Sequence, residues 1–119
     1  MHIEETRAVA PAGPAPGRWI LEIADADMAP ALRPGDFVEV DALDRRPSPP
    51  GVFVLAERRG GTERLLVRRL EVCGPMPAYV RITCDGGTAP NRMALLEDLD
   101  VRGRVVGAFV LWGKGEVRS

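Results

Sequence analysis

The sequence is poor in residues that could bind a metal or cross-link the chain. Its 119 residues include two cysteines and one histidine. A structural zinc site needs about four Cys or His ligands in close spacing, so these residues cannot build one. We therefore expect no metal site and no cofactor. Aromatic residues make up only 5% of the chain, which leaves the core mainly to Val, Leu, Ile and Ala.

The two cysteines are not expected to form a disulfide. Cys73 and Cys84 flank a predicted hairpin whose tip lies near residues 74–78. Antiparallel pairing would place Cys73 opposite a residue near position 80, so the two sulfur atoms should not meet. Two free thiols are consistent with a reducing compartment, and the cytoplasm is the expected location.

Long apolar runs and an excess of one charge sign are also missing. No run approaches the roughly 18 apolar residues of a membrane span, and the N-terminus lacks the basic-plus-apolar pattern of a signal peptide. The net charge is −1, from 16 basic and 17 acidic residues, whereas DNA-binding domains usually present a basic face. We expect neither membrane association nor direct nucleic-acid binding.

Turn-forming residues, by contrast, are abundant. Thirteen glycines and eleven prolines indicate many turns and short strands rather than long helices. Strands are predicted over residues 19–23, 37–41, 52–58, 63–72, 79–83 and 101–112. The expected fold is mostly β, with several small coiled antiparallel sheets, short turns and little helix.

Helix is expected only as single turns. One turn follows Asp27, because Asp is a favourable N-cap residue, and a second, acidic turn covers residues 95–100. Residues 1–17 are rich in Pro, Ala and Gly and predict a flexible lead-in. Residues 18–119 then form one domain, which suits a chain of this length.

Two segments carry the most specific pattern in the chain. Residues 27–41 read DMAPALRPGDFVEVD, and residues 65–71 read LLVRRLE. In the first segment, Pro30 stiffens a turn two residues after Met28, and Gly35-Asp36 reverses the chain ahead of a strand.

These segments resemble the LexA-like self-cleaving repressors and the related signal peptidases. That family reads Ser-Met-x-Pro-x-Leu-x-x-Gly-Asp around its nucleophile and Leu-Val-Lys-Arg around its general-base lysine. Met28, Pro30, Gly35 and Asp36 match the first pattern, and the resemblance extends over about residues 19–112. The position of the serine holds Asp27, and that of the lysine holds Arg68.

The resemblance implies a peptidase-like domain without peptidase activity. A lysine can act as a base when burial lowers its pKa, but the guanidinium of Arg68 stays protonated in a protein. Asp27 and Arg68 are instead expected to form a bidentate ion pair across the former catalytic cleft. In the alternative, Arg68 and Arg69 face solvent and Asp27 only caps a turn.

The resemblance also implies a role in association. The closing strand of the family builds a dimer interface, which here would use Val105, Val106, Phe109 and Leu111. The chain would then be a homodimerising, protein-interacting module in transcriptional regulation of the phage-repressor type, with a possible protein or peptide partner in the cleft. Two alternatives stay open: an active hydrolase with relocated residues such as Asp27, Asp85 or Cys84, and a domain whose cleft senses a peptide or small ligand.

Overall fold

The computed structural model describes residues 7–8, 16–75 and 78–110, with no account of the side chains of residues 7 and 8. This part of the chain contains eight strands and one short 3-10 helix, joined by turns and loops. The strands are β1 (Arg7–Ala8), β2 (Arg18–Glu22), β3 (Phe37–Asp41), β4 (Gly51–Arg59), β5 (Thr62–Cys73), β6 (Tyr79–Thr83), β7 (Arg92–Leu95) and β8 (Asp100–Phe109). The 3-10 helix covers Leu96–Asp98. The prediction of a mostly β fold is confirmed.

The strands form one antiparallel sheet, in which the order is β1-β2-β3-β8-β4-β5-β6-β7. Several small sheets were expected, but the strands form a single sheet because β8 pairs with both β3 and β4. Its second half pairs with β3, from Arg104 to Phe109, and its first half pairs with β4, from Asp100 to Arg104. The last strand therefore joins a sheet made by the first strands to a meander made by β4 to β7.

Two short strands, β1 and β7, were not predicted from the sequence. Arg7 and Ala8 pair with Glu22 and Leu21 of β2, so the lead-in predicted for residues 1–17 contributes a short strand. Residues 92–95 form β7 beside β6, although the sequence RMAL has no alternation that predicts a strand. The acidic turn expected at 95–100 is present as the 3-10 helix.

The long β4–β5 hairpin follows from its sequence. It turns at Gly60 and Gly61, which have φ values of 60° and 84°, a conformation that glycine adopts at little cost. The turn lies between the strands predicted over residues 52–58 and 63–72. The next hairpin places Cys73 opposite Tyr79, and Cys73 and Cys84 are both free thiols.

The two faces of the hairpin contribute to two different cores. Successive side chains of a strand point to opposite faces, so Val54 and Val67 join one buried cluster while Leu55 and Leu66 join another. The first core consists of Leu21, Ile23, Met28, Leu32, Val38, Val40, Val54, Ala56, Leu65 and Val67. The second core consists of Phe53, Leu55, Leu66, Leu70, Val80, Ile82 and Val101. The described part of the chain contains no helix with the length and apolar character of a membrane span.

Candidate functional site

The side chains of Asp27 and Arg68 are in contact. Arg68 Nη2 donates to Asp27 Oδ2 at 3.1 Å, and Arg68 Nη1 donates to the carbonyl of Val67 at 2.8 Å. The ion pair is therefore single and not the expected bidentate one, because one arm of the guanidinium is turned to the backbone of its own strand. The two side chains are 22% and 11% exposed, so water screens this pair less than a surface salt bridge.

The remaining acceptors of Asp27 are used by residues 84–88. Thr88 Oγ1 donates to Asp27 Oδ1 at 2.6 Å. The main-chain oxygen of Asp27 accepts hydrogen bonds from the amide of Gly86 at 2.7 Å and from the thiol of Cys84 at 2.7 Å. Residue 27 thus connects the turn after β2 with β5 and with the segment after β6.

The predicted N-cap role of Asp27 is wrong. Its carboxylate is engaged by Arg68 and Thr88, and it is Asp25 whose Oδ1 accepts the amide hydrogen of Asp27 at 3.0 Å. The chain then makes one α-turn, with the amide of Leu32 donating to the carbonyl of Met28 at 3.0 Å, and no helix forms over residues 27–32.

The segment after β6 lies directly against the turn after β2. A Cβ at Gly86 would lie 2.5 Å from the carbonyl oxygen of Ala26 and 2.8 Å from that of Asp27, so only glycine allows this approach. Beside it, Arg69 Nε and Nη2 donate to Asp85 Oδ1 and Oδ2 at 3.0 and 2.7 Å. The bidentate ion pair is therefore formed by Arg69 and Asp85, whereas it was predicted for Arg68 and Asp27.

The Arg69–Asp85 pair also affects ionisation. The hydrogen bonds from Arg69, opposed by burial and assisted by its charge, hold the pKa of Asp85 below its ordinary value. Asp85 therefore stays charged at neutral pH and fixes the turn that presents Gly86 to residues 26 and 27.

The residues of the Met-Pro-Gly-Asp turn have structural roles. Met28 is buried at 2% exposure in the first core, and Pro30 follows a cis peptide bond. Gly35 has a φ of 90°, and its amide donates to the carbonyl of Ile23. Asp36 accepts from the amide of Arg33 through Oδ2 at 2.8 Å, which closes the turn before β3.

The predicted dimer residues differ in exposure. Val105 packs against the first core, whereas Val106 and Phe109 are 43% and 40% exposed. The ring of Phe109 stacks on that of Phe37 with centroids 5.8 Å apart. Leu111 lies outside the described residues, as does the end of the strand that was predicted to reach residue 112.

A cleft of about 400 Å³ opens beside Arg68. Arg64, Leu66 and Arg68 alternate along one face of β5, and Ile82 of β6 lies beside them. The complete lining is Glu57, Arg59, Arg64, Leu66, Arg68, Ile82, Thr83, Cys84, Ala89, Pro90 and Arg92. We refer to it as the arginine cleft.

This cleft was not predicted from the sequence, although one signal for it is present. The alternation Arg-x-Leu-x-Arg over residues 64–68 places two guanidiniums and an apolar side chain on one face of a strand. The contribution of Arg92 could not be found in this way, because β7 was not predicted.

The side chains of Asp27 and Arg68 are engaged with each other and with neighbouring groups. Arg68 cannot accept a proton, and the carboxylate of Asp27 is held by Arg68 and Thr88. No group of three or more His, Cys, Asp or Glu side chains suited to a metal ion occurs within residues 7–8, 16–75 and 78–110. Comparison with protein-family models, with curated proteins and with solved structures finds no match for this chain.

Proposed function

We propose that the chain is a non-catalytic, LexA-like association domain. The observation that carries the proposal is the Asp27–Arg68 ion pair, formed by the two residues that align with the serine and lysine of the resembling family. A carboxylate and a permanently charged guanidinium in mutual contact stabilise the cleft but leave it without a neutral base.

Association through β8 is the second part of the proposal. In the described part of the chain, residues 105–109 pair with β3 along one edge, and no strand pairs with their other edge. We refer to residues 105–109 as the half-open strand. Val106 and Phe109 are exposed on this half-open strand. Because exposed strand edges pair readily with other strands, we propose a homodimer that forms here, with a role in transcriptional regulation that rests on the resemblance.

Incubation at alkaline pH followed by intact-mass measurement tests the absence of catalysis. A lysine base is neutral above about pH 10, and conditions of that kind would favour self-cleavage by a working dyad. We expect the wild-type mass to stay unchanged and a serine-reactive phosphonate probe to leave the protein unlabelled. Cleavage of the wild-type chain would support the relocated-residue hydrolase instead, and labelling of one of its serines would refute the absence of catalysis.

The double variant Asp27→Ser/Arg68→Lys supplies the matched positive arm. If residues 27 and 68 occupy the dyad positions, the variant gains reactivity with the phosphonate probe, while each single substitution does not. A folded double variant that remains unreactive would remove the support for the proposed correspondence with the serine and lysine.

The ligand-sensing alternative is favoured by one observation, the arginine cleft. Its volume falls in the range of about 300–1,000 Å³ that is typical of small-ligand pockets. This alternative is compatible with a non-catalytic domain, since a cleft that no longer cleaves a chain can still bind one.

A further inference from the structure

Another pocket lies between the loop before β4 and the 3-10 helix. Its volume of about 480 Å³ falls within the range of about 300–1,000 Å³ that is typical of small-ligand pockets. The lining consists of Arg45, Arg46, Leu96, Leu99, Asp100 and Val101. We refer to it as the loop pocket. It shares no lining residue with the arginine cleft and none with the half-open strand.

The floor of the loop pocket is aliphatic. Val101 is a buried member of the second core, and Leu96 and Leu99 pack against that core. The amide of Leu99 donates to the carbonyl of Leu96 at 3.1 Å, and residues three apart in a 3-10 turn lie on the same side of it. The exposed Glu97 and Asp98 therefore point elsewhere and do not line the pocket. An aliphatic ligand group can bury its surface on this floor.

The loop presents one guanidinium to this floor without an ion pair. Among the residues that the structure describes, none bonds to the exposed side chain of Arg46. Its main chain is fixed, however. The carbonyl of Arg46 accepts from the amide of Ser48 at 2.8 Å and from Arg104 Nη2 at 3.3 Å, and the adjacent Pro47 is fully buried. The guanidinium of Arg46 is thus held at the pocket by an anchored loop.

The other charges at the loop pocket balance one another. Arg102 donates to Asp100 through two nitrogen atoms and to Glu63 through one. The pKa of Asp100 lies below its ordinary value because of these hydrogen bonds from Arg102, opposed by burial and assisted by the charges of Arg102 and Arg45. Arg45 and Arg102 therefore compensate Asp100 and Glu63. The positive charge that remains is that of Arg46.

One uncompensated guanidinium beside an aliphatic floor favours a ligand with one carboxylate next to one aliphatic group. Guanidinium groups bind carboxylates through paired N–H donors. The C-terminal residue of a peptide carries its carboxylate and its side chain on the same Cα, so an aliphatic C-terminal residue combines the two groups. An internal Asp or Glu supplies the carboxylate without the aliphatic side chain.

We propose that the loop pocket binds the carboxyl terminus of a partner polypeptide that ends in an aliphatic residue such as leucine. The terminal carboxylate would contact the guanidinium of Arg46, and the terminal side chain would lie on Leu96 and Leu99. The inference goes beyond the proposed function, because it requires neither the Asp27–Arg68 pair nor the dimer.

Fluorescence anisotropy with the N-terminally labelled peptide Gly-Ser-Gly-Ser-Leu, which ends in a free carboxylate, tests the proposal. We expect saturable binding that weakens as salt is added. Amidation of the carboxyl terminus, or replacement of the terminal Leu by Ser, should each raise Kd about tenfold, since a charged hydrogen bond or a buried aliphatic side chain supports a change of that order.

Protein variants locate the site. Arg46→Gln should raise Kd for the free-carboxylate peptide about tenfold and leave Kd for the amidated peptide nearly unchanged, because the amide has no charge to lose. Leu99→Ala should weaken the binding of both peptides. The matched control is Arg58→Gln, which removes another exposed guanidinium outside the loop pocket and should leave both Kd values unchanged.

Several results would overturn the proposal. These are the absence of saturable binding, equal binding of the two peptides, equal losses in Arg46→Gln and Arg58→Gln, and tighter binding of octanoate than of the peptide, which would assign the pocket to a small aliphatic acid. Failure here is distinguishable from failure of the proposed function, because alkaline stability and dimer mass do not depend on Arg46 or Leu99.

Discussion

At the scale of single residues, Asp27 holds the most connected position in the candidate site. Its side chain accepts from Arg68 and Thr88, and its main-chain oxygen accepts from Gly86 and Cys84. Each of these donors comes from a part of the chain distant in sequence. A substitution of the Asp27 side chain therefore removes contacts with β5 and with the segment after β6 at once.

Replacing Asp27 by Ala should lower the free energy of unfolding by about 1–3 kcal/mol, because it leaves a largely buried Arg68 guanidinium without its carboxylate. Urea denaturation measures the change. The control Asp98→Ala removes an exposed carboxylate in the 3-10 helix and should have little effect. Equal stabilities for the two variants would mean that the ion pair contributes nothing.

Gly86 makes an independent prediction at the same scale. Gly86→Ala should destabilise the protein by about 1–3 kcal/mol, because the new Cβ would overlap the carbonyl oxygens of residues 26 and 27. Gly107→Ala is the matched control, since the nearest atom to a Cβ there lies at 3.8 Å. Thermal unfolding followed by circular dichroism compares them. A lower Tm for Gly107→Ala than for Gly86→Ala contradicts the argument.

At the scale of elements, β8 stabilises the sheet through two arginines as well as through backbone pairing. Arg102 donates to Asp100 through Nε and Nη2 and to the buried Glu63 through Nη2 at 3.2 Å. Arg104 Nε donates to Asp44 Oδ2 at 2.7 Å, and its guanidinium lies 4.4 Å from the centre of the Phe53 ring. The strand that joins the two halves of the sheet is thus also tied to the loop before β4.

Arg104→Lys should cost about 1–3 kcal/mol of unfolding free energy. Lysine keeps the charge but cannot reproduce the set of hydrogen bonds to Asp44, Arg46 and Pro49 together with the planar contact on Phe53. Chemical denaturation with Arg58→Lys as the exposed control measures the difference. If both lysine variants unfold at the same denaturant concentration, the geometry of Arg104 is unimportant.

At the scale of the whole molecule, ion pairs link strands throughout the sheet, and their carboxylates make stability depend on pH. The pKa of Asp85 lies below its ordinary value because of hydrogen bonds from Arg69, and that of Asp100 because of hydrogen bonds from Arg102. A carboxyl group with a lowered folded-state pKa stabilises the protein above its unfolded pKa. That contribution disappears as the pH falls through the folded value.

We therefore expect the free energy of unfolding to decrease as the pH falls below about 4, near the pKa of an unfolded Asp. Each of the two groups should contribute less than about 1 kcal/mol, because solvent screens partly exposed pairs. Denaturation at a series of pH values measures the slope. The double variant Asp85→Asn/Asp100→Asn should show a shallower slope, and an identical slope would assign the acid sensitivity to other groups.

The proposed dimer is a prediction about the whole molecule as well. Light scattering should give a mass twice that of the 12.9 kDa chain. Val106→Lys should shift the equilibrium to the monomer, because a charge on the half-open strand opposes edge pairing. The control Leu43→Lys changes a side chain that is 73% exposed and does not belong to β8. A monomeric wild type would refute association through β8 while leaving the alkaline-stability test intact.

The sequence predicted local features more reliably than connections between them. The alternation in residues 37–41 correctly predicted β3. The strands predicted over residues 52–58 and 63–72 are both present, joined by a glycine turn that requires no tertiary support. The contact between Asp27 and Arg68 followed from the resemblance. The single hydrogen bond between these two side chains was not predicted, because the sequence does not show that Arg68 also donates to the carbonyl of Val67.

Interactions between neighbouring residues were enough to predict the mostly β class and the strands of the main hairpin, since side-chain alternation and glycine turns act over short stretches of the chain. Three features became visible only in the fold: the strands form one sheet, Asp85 pairs with Arg69, and Arg92 of β7 meets the arginines of β5 around a cleft. These outcomes depend on which distant strands become neighbours. That choice is made by the packing of the two cores and by the pairing of β8 with both β3 and β4.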